Sequence, residues 1–255
     1  MLTVSKLRHR TADSLIFGHH PFAGQIQRGI QYLLSGPREV TFEIKNGPAA
    51  GSKFSCLSSH KYFFVREDYE CELVKPIQEL VRANSIVFDI GAHFGYWAIV
   101  LSYLCPDGKV FAFEPSPENR TRLRKNIELN SIKNVYVVPF AASDRSGTSH
   151  LSGTDSTASI GDGESAIETI TLDEFCRNHP PPEFMLIDVE GHAPEVLRGA
   201  AALFANRFIP LICELHSWRE QAALMEFLSG RTSRTRKLGK TMSFPNRVLC
   251  VGPDL

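Results

Sequence analysis

Residues 85–115 read SIVFDIGAHFGYWAIVLSYLCPDGKVFAFEP. Ile86–Ile90 is a short, continuous apolar run closing on an acid and a glycine, the pattern of a strand buried on both faces. Tyr96–Leu104 is apolar and of helical length, and Lys109–Phe113 is a second strand. Strand, helix and strand in this order predict two parallel strands joined by a right-handed crossover. In such a sheet, ligands bind beyond the carboxyl ends of the strands, where strand order reverses. The chemistry therefore belongs in Asp89-Ile-Gly91-Ala-His-Phe-Gly95. Gly91 permits a sharp turn and close approach of a ligand. Gly95 lets the following helix pack tightly, and Asp89 places a carboxylate beside the turn. Glu114 ends the second strand, where an acid can accept two hydrogen bonds from ribose hydroxyls.

The spacing G-x-x-x-G differs from the dinucleotide fingerprint G-x-G-x-x-G, because His93 holds the place of the second glycine. A pyrophosphate needs that glycine and free amides at the helix start, so a nicotinamide dehydrogenase is the weaker alternative. A carboxylate beside the loop suits a ligand with a cationic amino group. S-adenosylmethionine offers a ribose, an ammonium and a sulfonium, and no phosphate. A blander reading makes Gly91 and Gly95 a tight turn only, with Asp89 as a helix cap.

Outward from this stretch the alternation continues. Ser116-Pro117 starts a helix through Asn130, with Ser at the N-cap and Pro at the first helical position. Val135–Phe140, Phe184–Val189 and Phe208–Leu215 read as further strands. Thr171-x-x-Glu174 and Ser217-x-x-Glu220 are capping boxes. Residues 234–238 and 246–251 predict a closing hairpin. The fold expected is α/β: a doubly wound, Rossmann-like sheet, mostly parallel, with a C-terminal antiparallel hairpin. Residues 143–166, rich in Ser, Gly, Thr and Asp, read as a mobile loop. Residues 70–83 have helical spacing, with Pro76 as a break or start. Residues 1–68 read as a separate extension or cap, with strand-like pieces at Val40–Ile44 and Tyr62–Val65, and 69–255 as the ligand-binding domain.

The chain has 255 residues, with 28 Lys plus Arg against 28 Asp plus Glu. That balance gives no footprint for nucleic acid or an anionic membrane. The six cysteines form no C-x-x-C pair, so no zinc or dithiol site is suggested. Scattered thiols, no signal peptide and no apolar run of membrane length lead to a cytoplasmic protein with a small-molecule partner, and a homodimer is one expected assembly.

Two acidic pairs stand at later strand ends, Asp188-Val-Glu190 and Glu214-Leu-His216. Spacing of two puts each pair on one strand face if the strand persists. Three readings are open. His216 or Asp188 is a general base, the cluster holds a divalent cation, or Asp188 and Glu190 cap a helix while Glu214 pairs with a basic side chain. No residue is assigned as a metal ligand. His192 is a weaker candidate at a helix entry, His93 reads as structural or cofactor-adjacent, and Trp218 either lines a pocket or packs.

Phe88-Asp-Ile-Gly-Ala-His-Phe-Gly-Tyr96, Ala112-Phe-Glu-Pro115, Ala141-Ala-Ser-Asp144, Leu172-Asp173 and Ile187-Asp-Val-Glu-Gly191 with Val196-Leu-Arg-Gly-Ala200 resemble the FkbM family of S-adenosylmethionine-dependent methyltransferases. The resemblance covers about residues 70 to 217. It implies a class I methyltransferase sheet, S-adenosylmethionine as cofactor, and O-methylation of sugars, macrolides or other metabolites. It also implies that Asp89, Gly91 and Gly95 hold the methionine end and Glu114 the ribose. Ala142 and Asp144 lie near the adenine, and Ala92, Pro115 and Asp188 complete the expected cofactor set. The expected catalytic set is Asp188, Glu190, Glu214 and His216. The chain departs from the family pattern in carrying Leu186 where lysine is common, and in His192-Ala193-Pro194. These departures sustain a further alternative, a non-catalytic scaffold.

Overall fold

The computed structural model describes residues 38–66, 69–152, 159–161, 163, 165–205, 207–231, 233–239 and 245–253. Five parallel strands form the centre: β3 (Ile86–Ile90), β4 (Lys109–Phe113), β5 (Val135–Val138), β10 (Phe184–Ile187) and β11 (Leu211–Leu215). The hairpin β12 (Arg234–Leu238) and β13 (Asn246–Val251) completes a seven-stranded sheet of order β12-β13-β11-β10-β3-β4-β5. β13 lies between β12 and β11 and runs antiparallel to both. Chain order reverses between β3 and β10, so the crevice opens beyond Ile90 and Ile187.

The helices follow from the patterning. α3 (Tyr96–Leu104) is apolar nearly all round and buried. α4 (Pro117–Leu129) starts at Ser116, whose hydroxyl accepts the Asn119 amide. α5 (Leu172–Phe175), α6 (Ala193–Arg198) and α7 (Trp218–Leu228) form one layer. That layer packs on Phe88, Ile90, Phe113, Met185 and Ile187. The opposite face, with Val87, Val110, Leu186 and Ile212, packs on α3 and α2 (Cys71–Leu80). Alternation places Asp89 on the face of Val87. Pro76 neither starts nor breaks α2: it sits inside the helix, buried with Leu73 and Ile77.

The described N-terminal part forms a hairpin, β1 (Glu39–Glu43) and β2 (Lys53–Leu57). Two asparagines one turn apart, Asn126 on α4 and Asn130 at its C-cap, stand in for a third strand. Asn126 Oδ1 accepts the Ser55 amide (2.7 Å) and Nδ2 donates to the carbonyls of Ser55 (2.9 Å) and Phe94 (2.8 Å). Asn130 makes the same pair with Lys53, at 2.8 and 2.7 Å. Phe54 and Cys56 enter the core shared with α2 and α3.

Two expectations are corrected. Tyr62–Val65 is not a strand. Lys61–Phe64 is a helical turn, α1, whose Phe64 packs on Phe54 and Tyr96. Within residues 143–166, much of the described chain is sheet rather than loop. β6 (Ala141–Ala142), β7 (Gly147–Ser152), β8 (Ser159–Gly161) and β9 (Ser165–Ile170) form a four-stranded sheet over a small core of Ala141, Leu151 and Ile167.

Candidate active site

The turn after β3 is built for close approach. Gly91 has φ +91°, and a Cβ there would overlap the Asp188 carbonyl oxygen. Gly95 has φ +87° and caps α3, and a Cβ there would overlap Leu123. Gly95 therefore serves packing. His93 adopts φ 50°, so an ordinary residue holds a left-handed position in the turn. Most amides of this loop are spent internally. Those of Gly91 and Ala92 both donate to the Phe113 carbonyl at 3.0 Å, that of Gly95 to Ala92 at 2.7 Å, and that of His93 to Glu114 Oε2 at 2.8 Å.

Glu114 is 5% exposed and faces the crevice. Besides His93, it accepts the Ser116 amide (2.9 Å) and Asn119 Nδ2 (3.3 Å) at Oε1. Burial raises its pKa, and these hydrogen bonds oppose the rise. Asp89 is 3% exposed and its Oδ2 has no hydrogen-bond partner. Burial, then the charges of Glu114 and Glu70, push this carboxyl up to about 7. Leu186 is the cross-strand neighbour of Asp89 and offers it no donor.

A cleft of about 460 Å³ opens at the switch point. Gly91, Glu114 and Pro115 form one side, and Phe140, Ala142, Leu151 and Ile160 another. Asp188, Glu190, Glu214 and Arg247 line the far end, and His60, Phe63 and Phe64 contribute from the N-terminal segment. Of the residues singled out from the sequence, Asp89, Ala92, Gly95, Asp144 and His216 do not border it. Asp144 instead meets Arg198 at 3.4 Å.

The acidic pairs converge by a different route from the one spacing suggested. β10 ends at Ile187, so Asp188–Glu190 is a turn and not a strand, with Glu190 at φ 43° and Gly191 at φ +97°. His216 follows β11 directly. Its Nε2 lies 3.4 Å from Glu190 Oε2, 3.5 Å from Glu214 Oε1 and 3.8 Å from Asp188 Oδ1. Burial opposes a charge on His216, but the carboxylates of Glu214, Glu190 and Asp188 outweigh it and push the imidazole up to about 9. Burial and the charges of Glu214 and Glu70 hold Asp188 well above the ordinary carboxylate range, although its side chain is 42% exposed to the cleft. Burial also raises Glu190.

Sequence reasoning missed the other half of this cluster. Arg247 on β13 reaches Glu70 (2.7 Å), Glu72 (3.1 Å) and Glu214 Oε2 (2.6 Å), and Trp97 Nε1 donates to Glu70. Arg247 and Leu186 line the same small void, so a guanidinium from β13 supplies positive charge beside the apolar Leu186. Trp97 carries a polar partner as well as core packing. His192 pairs with Ser143 Oγ (3.0 Å) and Glu195 (3.7 Å) at a helix entry. Trp218 is 72% exposed and lies outside the cleft lining.

A seven-stranded sheet with this order, an acid closing the second parallel strand and a glycine turn closing the first define a class I methyltransferase. The match to the FkbM methyltransferase domain spans residues 89–239, and the chain belongs to that family. It is a methyltransferase, and the family implies S-adenosylmethionine as its cofactor. It is 28% identical over 168 residues to the hexuronic acid methyltransferase AglP of Haloferax volcanii, an alignment spanning 63% of this chain and 68% of the relative. The crystal structure of methyltransferase FkbM from Methylobacillus flagellatus superposes with a TM-score of 0.52 at 18% identity. That superposition covers 66% of this chain and 44% of the other, so the chain spans under half of that protein's length.

Proposed function

We propose that the chain binds S-adenosylmethionine across the β3–β4 crevice and transfers its methyl group to a hydroxyl of a sugar or related small metabolite. The observation that carries the cofactor site is the use of the loop amides. With those of Gly91, Ala92, His93 and Gly95 already bonded within the protein, the turn has no cradle for a pyrophosphate. It offers instead the Glu114 carboxylate at the crevice and the unpartnered Asp89 Oδ2 behind it. Those groups fit a ribose diol and an ammonium.

The cofactor supplies an electrophilic methyl on a sulfonium. Glu114 would hold the ribose, Gly91 would admit the methionine portion, and Ala142 would border the adenine. Residues 38–66 act as a cap, with Phe63 and Phe64 excluding water from the cleft. Asp188 and Glu190 face the acceptor, and raised carboxyls are the better bases toward a hydroxyl. His216, whose imidazole these carboxylates make more basic, orients them at the acceptor end. The sugar class is supported by the hexuronic acid named for the Haloferax relative.

The test is methyl transfer from labelled S-adenosylmethionine to methyl glucosides and to glucuronate. A product whose methyl group survives mild alkali is an ether and supports the hydroxyl assignment. An alkali-labile product from glucuronate alone would be an ester and would overturn it.

A further inference from the structure

The acidic end of the cleft holds more negative charge than its partners neutralise. Glu70, Asp188, Glu190 and Glu214 border the cleft, with Glu72 behind them, against one guanidinium and one imidazole. Arg247 takes Glu214 Oε2, which leaves Oε1 toward His216. His216 Nε2 stands 3.4–3.8 Å from three carboxylate oxygens on two different strand ends. These separations are long for hydrogen bonds. They approach the edges of a coordination shell, which run from roughly 3.0 Å to 3.4 Å for ligands about 2.1 Å from a metal. Ligand atoms of Asp188, Glu214 and His216 all fall within 4.8 Å of one another.

A second observation comes from behind the imidazole. Glu220 is 1% exposed, and its Oε1 has no hydrogen-bond partner. Its Oε2 accepts the His216 amide at 2.6 Å and lies 3.9 Å from His216 Nδ1, itself buried and without a hydrogen-bond partner. A buried carboxylate thus stands behind the far nitrogen, a small side-chain shift away from the hydrogen bond that fixes a metal-ligating imidazole.

We propose that Asp188, Glu214 and His216 form a divalent-cation site at the acceptor end of the cleft. The ligand set, one imidazole and hard carboxylate oxygens, suits Mg²⁺ or Mn²⁺. The open side faces the cleft, where the cation takes acceptor hydroxyls as further ligands. Glu190, on its exposed turn, is then the carboxylate left to receive the acceptor's proton. This role in acceptor binding rests on the methyltransferase reading above; the cation site itself is measured separately.

The test is titration of chelator-stripped, full-length protein with Mn²⁺, following loss of the free-ion electron paramagnetic resonance signal. S-adenosylhomocysteine binding is measured on the same samples. The expected result is about one Mn²⁺ per chain, weakened roughly tenfold or more in Asp188→Asn and roughly tenfold in Glu220→Gln. Glu220→Gln leaves the ligands in place and can still hold the His216 amide, so it guards against loss of fold. S-adenosylhomocysteine binding without Mn²⁺ uptake overturns the cation site and leaves the cofactor site standing. Mn²⁺ uptake that is equal in wild type and Asp188→Asn also overturns it. Mn²⁺ uptake without S-adenosylhomocysteine binding supports the cation site and removes the cofactor reading.

Discussion

Replacing Asp89 with Asn separates what this residue does for binding from what it costs in stability. In the native state the carboxyl moves from 3.8 to about 7. At about 1.36 kcal/mol per pH unit, that corresponds to an upper bound of about 4 kcal/mol. Between roughly pH 4 and 7 the native protein keeps a proton on Asp89 that the unfolded chain has lost. Stability from this group therefore falls as pH rises through that window and is level above it. Asn cannot ionise and has a similar volume. Allowing half the bound for relaxation, Asp89→Asn should stabilise the ligand-free protein by ~2 kcal/mol at pH 7.5, or a Tm rise of about 4–8 °C for a chain of this length. The gain should shrink toward pH 4.5. The same variant should bind S-adenosylhomocysteine at least roughly tenfold more weakly, because the negative charge behind the ammonium site is lost. The assay is thermal unfolding of both proteins at pH 4.5 and 7.5, with calorimetric titration at pH 7.5. An unchanged or lowered Tm at pH 7.5, or a gain that does not depend on pH, would refute the reasoning.

Two further outcomes follow from the same geometry. Glu114→Gln should weaken S-adenosylhomocysteine about 10- to 100-fold by titration calorimetry. It should also lower Tm, because the amide of His93 or of Ser116 loses a carboxylate acceptor. Asn126→Ala removes three hydrogen bonds to buried backbone and should cost about 2–4 kcal/mol. In limited proteolysis, cleavage within 38–57 should precede cleavage of the sheet.

The central sheet was legible because its signals are local. Ile86–Ile90 and Lys109–Phe113 are apolar runs of strand length ending in chemistry-bearing residues, and Ser116, Thr171 and Ser217 each cap a helix as their spacing announces. The small sheet of β6–β9 was not legible. Its strands are rich in Ser, Thr and Gly, and bury little beyond Ala141, Leu151 and Ile167, so composition there resembles a loop. In Lys61–Phe64, consecutive aromatics suggest a strand, but the turn needs only Phe64 buried. At the site, Glu114, Asp188, Glu190, Glu214 and His216 were visible as types at strand ends. Their convergence was expected from strand pleat, whereas Glu190 gets there through a left-handed turn. Arg247 and Glu70 were invisible because 177 residues separate them, and no local pattern marks an ion pair of that span.

The most direct measurement is calorimetric titration of the 255-residue chain with S-adenosylhomocysteine, with NADH as the control. The expected result is one site of micromolar affinity for S-adenosylhomocysteine and no heat with NADH, because the loop amides that would hold a pyrophosphate are already bonded. Binding of NADH, or of neither ligand, would contradict the cofactor site.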